Sequence, residues 1–243
     1  MKQENYIRGM IMIILSAFFF ACMNVSVRLA GDLPSVQKSF FRNLVAAFFA
    51  AIILIKNHTA PKVEKTQWGS LFLRCAFGTL GILCNFYAID HLLVADASIL
   101  NKLSPFFAII FSFLLLKEKI KPAQAMCVIL AFVGCLFVVK PGFENAHLIP
   151  ALIGVCGGLG AGIAYTMVRK MGTHGVKGPV IVFYFSCFSC IIVIPWIVFH
   201  YQPMSLRQLL TLLLAGLFAA GGQFTITAAY TYCLLYTSDA ADE

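Results

Sequence analysis

The sequence has little charge. Only 12% of its 243 residues are Asp, Glu, Lys or Arg, and just ten are acidic, whereas a soluble domain carries roughly twice that charged fraction. Water is therefore not the main solvent of a chain that is 60% hydrophobic with a mean hydropathy of +0.89. The ~10-residue alternating segments of a transmembrane barrel are missing too. So is any polar stretch long enough to form a soluble domain. There is no phosphate-binding loop, which argues against an ATP-driven mechanism within the chain itself. Neither His-Glu-x-x-His nor Gly-x-Ser-x-Gly occurs, and His58, His91, His147, His174 and His200 all fall in loops or at the ends of apolar blocks. An intramembrane enzyme needs a nucleophile, base or metal set at depth; no catalytic residue, metal site or cofactor is assigned.

What is present comes in long apolar blocks. About 20 residues at helical rise cross ~30 Å of hydrocarbon, and in lipid every backbone polar group must pair internally, so such blocks are helices. Punctuation by Gly31 with Pro34, Pro61, Pro122, Pro141 with Gly142, Gly172 through Pro179, and Pro203 predicts eight spans, at 9–28, 36–55, 68–88, 93–116, 123–139, 149–168, 179–199 and 208–230. The run after Arg8 is too long for a signal-peptide core and is read as an uncleaved first helix. Cys22, Cys75, Cys84, Cys127, Cys135, Cys156, Cys187 and Cys190 lie within the blocks, where cysteine serves as a small packing residue.

The formal charge of +8 is scattered rather than gathered into a stripe, so it does not point to nucleic acid. It reads as a topology signal. With the N-terminus in the cytoplasm, the inner segments hold eleven Lys and Arg and the outer ends four, namely Arg28, Lys38, Lys140 and Arg207; basic residues are retained inside. Arg42, Arg74 and Lys102 remain, within the spans.

The chain also repeats itself. A shift of about 140 residues lays Gly81 and Ala88 over Gly221 and Ala228, and Val27-Arg28 over Val168-Arg169. Five spans separate the copies, and an odd number inverts the second copy in the membrane, as in many secondary transporters.

The stretch from Tyr87 to Gly142 resembles the fourth and fifth helices of an EamA repeat of the drug/metabolite transporter superfamily. It has Ala95 and Ala97-Ser98 at the helix start, Pro105-Phe106 in its middle, a Leu-rich run closing on Glu118, and then a Gly- and Val-rich helix. Phe41-Arg42-Asn43 resembles the family's second helix. The resemblance implies an all-α polytopic membrane protein, an inverted repeat of five-helix EamA units, with about eight of the usual ten transmembrane helices present. Residues 8–142 form the first repeat, 148–232 an incomplete second one, and 233–243 a tail that matches nothing expected and suggests a truncated reading of the gene. It further implies a secondary transporter in the cytoplasmic membrane, in the direction of export, that moves small organic metabolites such as amino acids by alternating access. Its partners are then a small-molecule substrate and the lipid bilayer, with room for a homodimer and for a coupling ion of unstated identity. A non-transporting scaffold or sensor is the alternative.

Ionisable groups at membrane depth cost ~2.5–3.5 kcal/mol on insertion scales, so each is a site candidate. Lys102 sits about ten residues into the fourth span and shares a helical face with Ser98 and Pro105. That proline frees a carbonyl and loosens the helix, making it a candidate hinge. Arg42 with Asn43 lies two turns into the second span. Arg74 lies close enough to the inner surface to snorkel. Asn24, Asn85 and Gln223 can line a cavity, although such groups also join helices. Glu118, among three lysines at its helix end, is a candidate gate. Gly154, Gly158 and Gly162, at a spacing of four, suit close helix packing. Since the only acidic residues near the depth of Arg42 and Lys102, Asp90 and Asp96, lie toward the outer end, a net-positive cavity is expected, suited to carboxylate-bearing or zwitterionic substrates rather than lipophilic cations.

Overall fold

A computed structural model describes residues 2–117, 122–139 and 148–239, with the side chains of 2–6, 231–239 and several positions of the sixth helix outside the described set. Every apolar block is helical. The helices are α1 (Lys2–Leu29), α2 (Ser35–Lys56), α3 (Trp68–His91, preceded by a 3-10 turn at Lys65–Gln67), α4 (Val94–Asn101), α5 (Ser104–Leu116), α6 (Pro122–Val139), α7 (Leu148–Thr173), α8 (Gly178–His200) and α9 (Leu206–Asp239). Among the described residues, seven spans are long and apolar enough to cross a membrane, with α4 and α5 forming one of them.

The fourth span thus differs from the continuous helix expected over 93–116. It is interrupted at Lys102 and Leu103, because Pro105 has no N–H to give to the carbonyl of Asn101 and its ring crowds that carbonyl. Proline is well placed in the first turn of a new helix, and that is where it stands in α5.

Polarity is arranged inside out. Arg42, Arg74, Lys38, Gln37 and Asn43 are among the least exposed side chains, while Ile14, Phe18, Ile55, Phe72, Val198 and Phe199 are open to the surroundings. Lipid accepts the second set without cost. The first set has to be satisfied within the bundle.

Three antiparallel pairings build the core: α1 with α9, α3 with α7, and α2 with α8. Exchanging α1, α2 and α3 for α7, α8 and α9 turns the first pairing into the second and the third into itself. The glycines follow the same relation. A Cβ on Gly81 of α3 would meet backbone of α7 at 3.1 Å, and one on Gly221 of α9 would meet the Phe19 ring of α1 at 3.1 Å. The glycine series of α7 serves two neighbours. Gly158 faces the α4–α5 break, where a Cβ would lie 2.8 Å from the Leu100 oxygen, and Gly162 faces Phe107; Gly157 and Gly160 lie against α3. Close packing of this kind, driven by small residues, is what holds helices together in lipid.

Candidate functional site: a buried cationic cavity

α2 and α3 run antiparallel, and each carries an arginine about two turns from its start, so Arg42 and Arg74 approach the middle of the bundle from opposite ends. Both are essentially sealed from solvent, at 1% and 2% exposure. Their guanidinium carbons lie 5.9 Å and 4.0 Å from the centroid of one ring, that of Phe185 on α8. Arg42 Nη1 donates to Asn43 Oδ1 at 2.6 Å, and Asn43 Nδ2 in turn donates to the Ser39 oxygen at 3.0 Å. Arg74 Nη2 donates to Gln223 Oε1 of α9 at 3.0 Å. Gly78, one turn beyond Arg74, provides the room: a Cβ there would sit 2.2 Å from Arg74 Nη1.

These two side chains open on a cavity of about 50 Å³ at the centre of the bundle. A water needs roughly 10–15 Å³ measured in this way, so the cavity holds a few waters and not a metabolite. Arg74, Gly78, Gly81 and Asn85 form one continuous wall along α3, and Asn101 at the end of α4, Tyr165 of α7 and Gln223 of α9 complete the polar lining. The Tyr165 ring stacks on Tyr230 at 5.1 Å. Arg42 Nε, Arg74 Nε and Asn85 Oδ1 are buried and have no hydrogen-bond partner among the described residues.

Arginine stays charged in proteins. Cation–π contact in a desolvated setting returns ~2 kcal/mol and a hydrogen bond to a charged group ~1.5–3 kcal/mol. Set against an insertion cost of ~2.5–3.5 kcal/mol per charge, the neutral partners make both arginines tolerable but leave their charge uncancelled. None of the described acidic side chains, Asp32, Glu64, Asp90 and Asp96, lines the cavity. The lining thus carries two positive charges that no described acidic side chain offsets.

Three of the candidates named from sequence, Arg42, Asn85 and Gln223, meet here. Asn43 does not line the cavity; it holds Arg42 in position. Asn24 and Ser98 bond one another at 3.0 Å and tie α1 to α4 beside the cavity. Lys102 is exposed at the α4–α5 break and is not brought to the site, because the break turns it off the face that the continuous helix would have given it. Pro105 is likewise exposed at the break, and Glu118 lies outside the described residues. Arg74 does not snorkel. It is turned inward, and the signal for that was Gly78 four residues on, which clears the same helical face. Lys38, counted among the basic residues of the outer ends, is 1% exposed and pairs with Asp90 at 2.5 Å.

Membrane-length helices packed around a polar, charged cavity are an arrangement that solute transporters use. The chain belongs to the EamA-like transporter family, whose model matches residues 7–140, within the drug/metabolite transporter superfamily of secondary transporters. It is similar to the pseudopaline exporter CntI of Pseudomonas aeruginosa, at 32% identity over 229 residues that cover 92% of this chain and 78% of that protein. It is also similar to human solute carrier family 35 member G1, at 27% identity over 91% of this chain and 64% of that one. A riboflavin transporter of Brucella anthropi shares 27% identity over 65% of this chain and 56% of its own. A solved crystal structure matches with a TM-score of 0.70 at 14% identity, covering 98% of this chain and 84% of the other, which shows a common fold.

Proposed function

We propose that this transporter exports small organic metabolites that carry a carboxylate, amino acids foremost, across the cytoplasmic membrane by alternating access, with its N-terminus in the cytoplasm. The observation that carries the reading is the pair of sealed arginines, Arg42 and Arg74, with no acidic partner among the described residues. A carboxylate supplies the missing charge at the moment of binding, and arginine presents a fork that matches its two oxygens. The orientation is supported by the excess of basic residues on the segments assigned to the inside, and the direction of transport by a relative that bears the name of an exporter. Residues 8–142 and 148–232 act as two inverted repeats, a division supported by the interchangeable helix pairings. The cavity is too small for its substrate as it stands, so loading requires the repeats to part at one end of the bundle, with the α4–α5 break giving way.

Counterflow in proteoliposomes tests this, using a panel of amino acids, organic acids and quaternary ammonium compounds. Carboxylate-bearing solutes should exchange, and Arg42→Gln should lose most of that exchange while Lys102→Met keeps it. Preference for the quaternary cations, unchanged by Arg42→Gln, would return the arginines to a structural role.

A further inference from the structure

We infer that Lys38 is a second station for the substrate anion, one helical turn outward of Arg42, and that Asp90 is the resident counter-ion which the departing carboxylate displaces and which then expels it. This rests on the carboxylate reading above and adds the exit step to it.

Two spaces lie along the same side of the bundle. Beyond the central cavity, at the Asp90 end, is an open pocket of about 510 Å³ whose lining includes Arg28, Asp32, Ser35, Asp90 and His91, a volume within the ~300–1,000 Å³ range of small-molecule sites. From the cavity to this pocket the lining passes from Met23 to Arg28 on α1, from Arg42 to Ser35 on α2 and from Phe86 to Asp90 on α3. A layer only one to two turns thick therefore separates them, and the pair of Lys38 with Asp90 closes it. Lys38 and Arg42 are four residues apart on α2, so they share a helical face at ~6 Å of rise. Arg74, Arg42 and Lys38 thus form a row of buried cations leading toward the outer end. Among the described residues the first two have no acidic partner; the third has Asp90.

The pair is asymmetric. Lys38 is 1% exposed and Asp90 19%, so the acid stands at the edge of the pocket with the cation behind it. Asp90 Oδ1 accepts from Lys38 and Oδ2 from Ser35, both residues of α2. A carboxylate arriving from Arg42 offers Lys38 an equivalent partner from the inner side, and Asp90 can then turn to solvent, so the exchange strands no buried charge. It also undoes both links from the end of α3 to α2, which loosens the layer. When Asp90 returns to Lys38, it and Asp32 repel the anion, while Arg28 is already engaged by the Ile89 and Asp90 carbonyls. An apolar pair would close the layer at least as firmly, but it could not trade partners with an anion.

The test separates binding from turnover in the full chain, with L-glutamate as the probe. Binding is read as ligand-induced thermal stabilisation, and turnover as efflux from loaded proteoliposomes. Two neutral pairs replace the charged one: Lys38→Met with Asp90→Leu, which packs, and Lys38→Gln with Asp90→Asn, which keeps a hydrogen bond between the helices. Each is expected to bind glutamate within about threefold of the unaltered chain and to slow efflux at least tenfold. Lys38→Arg, which keeps the charge, should retain most of the efflux. Full efflux in either neutral pair overturns the inference and leaves the carboxylate reading standing, since closure without charge would then suffice. Loss of glutamate binding in a neutral pair of normal melting temperature overturns it too, because Lys38 would then belong to the central site. So does loss of efflux in Lys38→Arg with binding intact. Failure of the unaltered chain to bind glutamate or any other carboxylate overturns both readings.

Discussion

The two ends of the bundle are closed in different ways. At one end, where α1 meets α2, α3 ends and α8 meets α9, the contacts are many and partly buried. Arg28 Nη1 donates to the Ile89 and Asp90 carbonyls at 2.9 and 2.8 Å, Ser35 and Lys38 both reach the Asp90 carboxylate, Gln37 exchanges two bonds with the Gln202 backbone, and Gln208 donates to the Ala30 oxygen at 3.1 Å. At the other end, where α2 meets α3 and α7 meets α8, Lys177 Nζ reaches Thr59 Oγ1 at 3.3 Å and Tyr184 donates to the Pro61 oxygen at 2.8 Å, both in exposed positions. The two loops that turn back from the repeats' first helices each use a glycine of positive φ, Gly31 at 74° and Gly175 at 76°. Among the described residues, the hydrogen bonds and ion pair at the Gly31 turn are thus more sheltered than those at the Gly175 turn. A part-buried ion pair and several sheltered bonds resist opening, whereas exposed bonds compete with water. On the proposed orientation the firmly closed end is external and the lightly closed end is cytoplasmic, the arrangement an exporter needs for loading.

Breaking this asymmetry should produce graded effects. Asp90→Asn leaves Lys38 buried without a counter-charge, and losing one partner of a buried pair costs ~3–5 kcal/mol. It should lower the melting temperature more than any other change at this end and expose a cysteine introduced at position 33, where Leu33 is buried, to an impermeant thiol reagent. Replacing Lys38 and Asp90 together by Met and Leu should recover much of that loss. Gly78→Ala is a probe between the ends. Its Cβ would displace the Arg74 guanidinium, so stability should fall by ~1–3 kcal/mol, as for overpacked cores, and anionic substrate binding should fall with it. Gln37→Ala removes a two-bond link to Gln202 and should cost ~1–3 kcal/mol, again with greater labelling at position 33. Lys177→Met at the opposite end breaks one exposed contact and should change stability by no more than ~0.5 kcal/mol.

The spans themselves were legible in the sequence because hydropathy over about 20 residues is a strong signal in a chain with so few charges. The interruption of the fourth span was only half legible. Pro105 announces a disturbance, but it is the fit of proline to a first turn, and of Gly158 against the Leu100 oxygen, that makes the break complete. Arg42 was legible because two turns of helix separate it from the surface. Arg74 was not, since distance from the membrane edge suggested snorkelling and the deciding feature is the space above Gly78. Lys102 failed in the opposite way: depth in a continuous helix does not survive a break at that very residue. Asn24 and Ser98 look like cavity residues from their polarity, yet a polar side chain in lipid is satisfied as well by a neighbour on another helix as by a substrate. Lys38 counted as a topology signal because its partner Asp90 lies 52 residues away, and pairing across helices leaves no local pattern.

The central claim is that a carboxylate substrate is received in the arginine cavity from the lightly fastened end while the Asp90 end stays closed. Spin labels placed at positions 32 and 203 in one cysteine-depleted variant, and at 60 and 174 in another, report the two ends separately. On addition of L-glutamate the distance distribution across 60 and 174 should shift while that across 32 and 203 stays narrow, and Arg42→Gln should abolish the shift. A glutamate-induced change across 32 and 203 first, or one that persists in Arg42→Gln, would contradict the account.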